Sequence, residues 1–212
     1  MNFDETLAAI SSIKIKQILE HFEIFGIETR NKYQFMDEKN SPIAFAAEQS
    51  KGFGFMILRQ ILGHWRSFKI SFFDNERKEI FSAYHPFRFF FQRIEVYNNN
   101  EQLLGAIQQR FSIFYKKFDI EGPRGNVILT MSSPIWRIWT FPILRGDREV
   151  AKIEKKWSSF LKEAFTDADN FLLSFLSNNS LTLALSIEEK KILLASAIFI
   201  DLQYFEKKAN RE

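Results

Sequence analysis

The stretch "SIEEKKILLASAIFIDLQYFE", Ser186 to Glu206, has the composition of a helix with no wet side. Ser186 followed by acids in the first turn marks its start. Ile192, Leu193, Leu194, Ala195, Ala197, Ile198, Phe199 and Ile200 then cover nearly the whole circumference. A helix of that kind belongs inside protein or inside lipid. Its strongly apolar run, "ILLASAIFI", is nine residues long before Asp201 ends it, against the ~20 that a bilayer-spanning helix needs. The rest of the chain therefore has to wrap this helix. It is expected over about 187–206, with Leu193, Leu194, Ile198, Phe199 and Ile200 in the core.

What precedes it reads as strands. Ile13 and Ile15 alternate with Lys14 and Lys16, a period of two. The same rhythm recurs in "TRNKYQF", "IAFAAEQ", "SFKISFFD", "EIFSAYHPF", "FFQRIEVYN" and "QLLGAIQQRF". It continues in "YKKFDIEG", "VILTMSS", "WRIWTFPIL", "EVAKIEKKW" and "NFLLSF". "MDEKNSP", "NNNEQ", "EGPRGN" and "LRGDRE" supply turns. About 12 regularly spaced strands without intervening helices make one antiparallel sheet, which loses its exposed edges by closing. The expected fold is mainly β with α: a closed antiparallel barrel over about 13–185 with the hydrophobic helix threaded through it, and a short helix from about Asp4 to Ile10. No linker interrupts the chain, so 1–212 is read as a single domain, and 46% hydrophobic content gives it a sizeable core.

Several function classes drop out. The chain has no cysteine, which removes disulfides, thiolate metal sites, cysteine nucleophiles and S-acylation. The three histidines, 21, 64 and 85, are scattered. No G-x-S-x-G, P-loop or G-x-G-x-x-G motif supports a hydrolase, kinase or dehydrogenase, so no enzyme is expected. A net charge of +3 argues little for nucleic acid and is compatible with an anionic membrane surface. The first residues, "MNFDETLAAISSIKIKQ", carry acids where a secretory leader carries bases, so the expectation is an intracellular protein, cytoplasmic or peripheral at the inner face of a membrane.

Five stretches in order, "GIETRNKYQF", "FAAEQS", "HPFRFFFQRIEVYNNNEQLLGAIQQRF", "VAKIEKKWSSFLKEAFTDADNF" and "LLASAIFIDLQYFE", resemble the phospholipid scramblase family across almost the whole length. The resemblance implies a tubby-like barrel with a buried C-terminal helix. It also implies calcium-responsive, non-selective movement of phospholipids between leaflets, and membrane or phosphoinositide binding among relatives. The alternative is a non-catalytic membrane-binding or protein-interaction module on the same barrel. Partners are then an anionic phospholipid surface or a protein, with nucleic acid, linked to some relatives, not expected.

The family's calcium segment is likened to an EF-hand loop, which takes ligands from positions 1, 3, 5, 7, 9 and 12 around a glycine at position 6. Counted from Asp167, only Asp167, Asp169 and Asn178 offer side-chain oxygens, and Leu172 stands in the glycine position. Weak calcium binding or a turn before the last strand are the two readings. Where family members carry lipidated cysteines, this chain has Phe87, Arg88, Phe89, Phe90 and Phe91. Reading the strand of "QRIEVY" backwards puts Phe90 inside with Ile94 and Val96, and Phe89 and Phe91 outside with Arg93 and Glu95. Exposed rings beside arginines suit a headgroup boundary, whereas a bulge would bury them. Phe53 and Phe55, loosened by Gly52 and Gly54, form an inserting loop or a packed segment. Lys152, Lys155 and Lys156 meet lipid phosphates or line a solvated face.

Overall fold

Alternating side chains become strands that pair with their neighbours in chain order. The computed structural model describes residues 2–18, 31–49, 67–137, 139–156, 170–176 and 184–205. A first helix, α1 (Phe3–Ala9), leads into β1 (Ser12–Ile18), β2 (Lys32–Met36), β3 (Pro42–Glu48) and β4 (Phe68–Phe73). Next come β5 (Glu79–His85), β6 (Arg93–Asn98), β7 (Leu103–Arg110) and β8 (Tyr115–Glu121). The sheet ends with β9 (Val127–Pro134), β10 (Thr140–Arg145), β11 (Arg148–Lys156) and β12 (Asn170–Phe175), before helix α2 (Ile187–Tyr204). Each strand lies antiparallel beside the next, and β12 returns to β1, Phe171 opposite Ile15, to close the barrel. This closed barrel with its C-terminal helix is the architecture expected from the sequence.

Four hairpins at one end share a design. In three, an Asx side chain accepts the amides two and four residues on: Asp37 from Lys39 and Ser41, Asp74 from Glu76 and Lys78, and Asn98 from Asn100 and Gln102. The last turn residue is left-handed, at φ 65° for Asn40, 70° for Arg77 and 59° for Glu101. Gly125, at φ 79°, takes that place in the fourth. A register shift of the ladder follows each turn, as a type I turn with a bulge requires. One end of the barrel is thus sewn shut by short polar turns.

The interior belongs to α2. Ser186 and Glu189 form a reciprocal capping box at its start, and every residue from Lys190 to Leu202 is buried. Gly105 on β7 lets the helix approach. A Cβ there would collide with the Glu121 carbonyl oxygen and stand 2.7 Å from Ile192 Cδ1. Asp201, the one carboxylate carried into the core among the described residues of the apolar segment, accepts a 2.7 Å hydrogen bond from the Tyr33 hydroxyl. α1 sits at the polar end, with Phe3 and Leu7 buried. Lys190 Nζ donates to Leu7 O at 2.7 Å and Ala8 O at 3.3 Å, occupying carbonyls that the end of a short helix leaves open. Lys191 Nζ pairs with Asp4 at 2.8 Å. The two lysines tie the first helix to the last.

Candidate functional site

In a meander, connections after odd-numbered strands all fall at the end opposite the polar turns. Three of these links are described, and they are apolar. Between β5 and β6 stand Phe87, Phe89, Phe90 and Phe91, all exposed, Phe90 by 80%. Between β7 and β8 are Phe111, at 73% exposure, Ile113 and Phe114, with Tyr115 opening β8. Between β9 and β10 are Ile135, Trp136 and Trp139. Among the described residues the other exposed large hydrophobics are Tyr84 on the barrel wall, and Val127 and Leu176 at the polar end.

The three links form one surface. Phe91 meets Phe111 edge-on with ring centroids 6.4 Å apart, and Tyr115 meets Trp136 at 6.4 Å. Ile135 N donates to Phe114 O at 3.0 Å. The first link is pinned to β7 by glutamines: Gln108 Nε2 donates to Phe91 O at 2.9 Å, and Gln109 N to Gln92 O at 2.9 Å. Gln92 Nε2 reaches back to Arg88 O at 3.1 Å. The rings are therefore held out on ordered backbone, so little loop entropy opposes their use in contact.

Charge follows the same division. Residues 86–92, 111–117 and 135–139 contain Arg88, Lys116, Lys117 and Arg137 and no carboxylate. Lys117 Nζ lies 5.9 Å from the Tyr115 ring, and Lys116 Nζ 5.1 Å from that of Tyr204, in the last turn of α2. Among the described residues, the acids of the adjoining wall, Glu95, Asp119 and Glu121, are held in ion pairs. Arg93 binds Glu121 at 2.7 Å and Glu95 at 3.0 Å, and Arg110 binds Asp119 at 2.7 Å and Glu121 at 2.9 Å. At the opposite end, a cleft of about 500 Å³ is lined by Leu103, Leu104, Arg124, Ile128 and Ile192, and an Arg145–Glu189 ion pair of 2.7 Å lies on its wall.

The sequence-predicted residues scatter over this frame. Arg88, Phe89 and Phe91 are exposed on the first link, though not through strand alternation. β6 starts only at Arg93, Gln92 is buried, and Phe91 is left-handed at φ 51°, so the period cannot be carried back through it. Phe90 is accordingly outside, not inside with Ile94 and Val96, and the bulge that would bury its neighbours is absent from this link. Arg93 faces the wall network. Lys155 is a second correction: it turns inward with Ile153, its ammonium 3.6 Å from the centroid of Phe205 beyond α2. A cation there suits the negative end of the helix. Lys152 lies outside, 3.4 Å from Glu154, and Lys156 ends β11 opposite Asn170. Phe53, Phe55, Asp167, Asp169 and Asn178 lie outside the described residues. The middle of the supposed EF-hand loop does not: residues 170–175 are β12, paired on both sides, with Leu172 opposite Lys14 and Glu154. A straight, doubly paired strand does not curl around a cation, so an EF-hand loop does not fit. Among the described residues no group of three His, Asp or Glu side chains could hold a metal.

No motif or strand period in the sequence marks Phe111, Ile113, Phe114, Trp136, Trp139 or Arg137 as a site. The available signal was parity: "RFSIFYKK" and "PIWRIW" both follow odd-numbered strands, where their rings share one end.

A barrel of this design with one apolar, basic end is matched by the Scramblase family profile over residues 2–207, and the chain belongs to that family. It is similar to phospholipid scramblase 1 of Mus musculus, 29% identical over 223 residues, covering 98% of this chain and 65% of that one. Phospholipid scramblase 2 of Homo sapiens is 29% identical over 218 residues, covering 96% of this chain and 70% of its own. The chain thus spans about two thirds of the length of these relatives. A solved protein of Arabidopsis thaliana is similar over 100% of this chain and 99% of its own, at 9% identity and a TM-score of 0.49.

Proposed function

We propose that the protein works at a membrane surface and moves phospholipids between leaflets, without choosing among headgroups. The observation that carries this reading is the three described links at one end of the barrel, whose rings lie beside four bases and no carboxylate, in a chain of the Scramblase family. Rings at the headgroup boundary with cations beside them suit a lipid interface better than open water. The activity is transport, so no bond chemistry is assigned to any residue. No helix of the described residues is long and apolar enough to cross a membrane. On the strength of the apolar, basic links the protein is read as peripheral, at the inner face of a membrane.

A second reading has its own support. α2 fills the barrel, so a lipid headgroup has no polar path through the described part of a monomer. On that ground the barrel is a binding module that brings its apolar end to lipid without moving it. Weak calcium binding by Asp167, Asp169 and Asn178 is compatible with either reading.

One assay separates the readings. Purified protein in liposomes carrying a fluorescent lipid is followed by dithionite bleaching, with and without millimolar calcium. Lipid exchange above that of empty liposomes supports movement, and a calcium-dependent rate supports the cation. Vesicle binding without exchange refutes movement and leaves the binding module.

A further inference from the structure

We infer that the barrel docks end-on: its apolar end enters an anionic bilayer surface with the barrel axis near the membrane normal and the last turn of α2 facing the lipid. This rests on the reading of a membrane-surface protein and adds orientation and lipid charge. Three features point the same way. Phe90, Phe111, Phe114 and Trp136 project from connections, the outermost parts of the barrel at that end. Tyr115 and Lys116 mark the point where β8 begins, so the bases of "YKK" lie a step behind the rings of "FSIF", at the depth of phosphates when the rings reach acyl chains. The opposite end is built of polar turns, and the wall across β6, β7 and β8 ties its two arginines to three carboxylates, which leaves it no excess of positive charge for an anionic surface.

Charge selects the occupant. Two copies of this chain meeting through the described links would bring Arg88, Lys116, Lys117 and Arg137 of each against the same bases of the other, with no carboxylate in those links to answer them, whereas an anionic leaflet complements them. Each base is worth about 1 kcal/mol near such a surface, or about fivefold in partition.

The absence of cysteine supplies the test. Single cysteines are introduced by Phe114→Cys and Trp136→Cys at the apolar end, Asn99→Cys and Arg124→Cys at the polar end, and Gln34→Cys on the wall. Each carries an environment-sensitive fluorophore. The full chain is mixed with phosphatidylcholine vesicles, with and without 30% phosphatidylserine and with nitroxide-labelled lipids. Labels at 114 and 136 are expected to brighten and be quenched by the nitroxides on phosphatidylserine vesicles, and labels at 34, 99 and 124 to stay as in buffer. The combined Lys117→Gln and Arg137→Gln variant is expected to lose about 25-fold in partition at an unchanged melting temperature. Bound protein whose label at 34 or 99 responds instead overturns end-on docking while the membrane reading stands. Equal partition to both vesicle types overturns the anionic preference. No response at any label with no vesicle binding, or dimerisation through the labelled end, overturns the proposal outright. Responding labels with no lipid exchange refute lipid movement and leave the docking.

Discussion

Replacing Phe90 and Phe111 with serine tests the apolar end most directly. Phe90 is 80% exposed and Phe111 73%, so neither ring contributes much to the folded core. Surface changes of this kind shift stability by about 0.5 kcal/mol, or roughly 1–2 °C in melting temperature for a chain of this size. Losing the edge contact between Phe91 and Phe111 adds at most a comparable amount. At a bilayer the same rings have much to gain, because full burial of a phenylalanine is worth about 3 kcal/mol at most. Partial insertion at the headgroup boundary realises about 1 kcal/mol for each. The double variant should therefore partition ~30-fold less into anionic vesicles, about 2 kcal/mol. Sedimentation with phosphatidylserine-containing vesicles measures the partition, and thermal melting the stability. Phe118→Ala is the contrast: a core ring at 1% exposure whose loss costs about 3–5 kcal/mol and reduces binding only by unfolding the barrel. Unchanged partition of the Phe90/Phe111 variant, or a fall in melting temperature like that of Phe118→Ala, refutes the assignment of these rings to lipid.

Three further outcomes follow from the same geometry. Gly105→Ala forces a methyl against the Glu121 carbonyl and Ile192, and should cost about 1–3 kcal/mol in denaturant unfolding; an unchanged midpoint would show that β7 yields easily. Lys190→Met removes the donor that holds the end of α1, and should raise amide exchange across residues 3–10 while β6 and β7 stay protected. Glu38 is held down to about 2 from an ordinary 4.5, first by its own backbone amide and then by the amides of Ser11 and Ser12 and the Ser11 hydroxyl. A depressed carboxyl contributes stability that is complete above pH 4.5 and lost as pH falls toward 2. Glu38→Gln should flatten the stability profile in that window and leave its shape at neutral pH unchanged.

Much of the fold is legible in the residues because it is local. Each strand carries its own alternation, and each polar hairpin its Asp, Asn or Gly at the start of the turn. The all-apolar surface of α2 states that something must enclose it. The errors come where that locality ends. Extending the period of β6 backwards puts Phe90 inside, and a single left-handed residue, Phe91, cancels the extension. Lys155 reads as part of a charge run with its neighbours, although the period that places Ile153 inside places Lys155 inside too. The apolar end was less legible because its rings come from links distant in the chain and meet only after the barrel closes.

That closure also has a temporal side. The last pairing, β12 with β1, joins opposite ends of the sheet, and the helix it encloses is made after every strand. During synthesis, the interior faces of the strands have no partner until α2 leaves the ribosome. The barrel cannot assemble from its beginning as a repeat protein does. Contacts this distant in sequence make for slow folding and a long interval of exposed phenylalanine. A nascent chain stopped before Ser186 should therefore be held by chaperones or aggregate, and only one reaching Phe205 should acquire protease resistance.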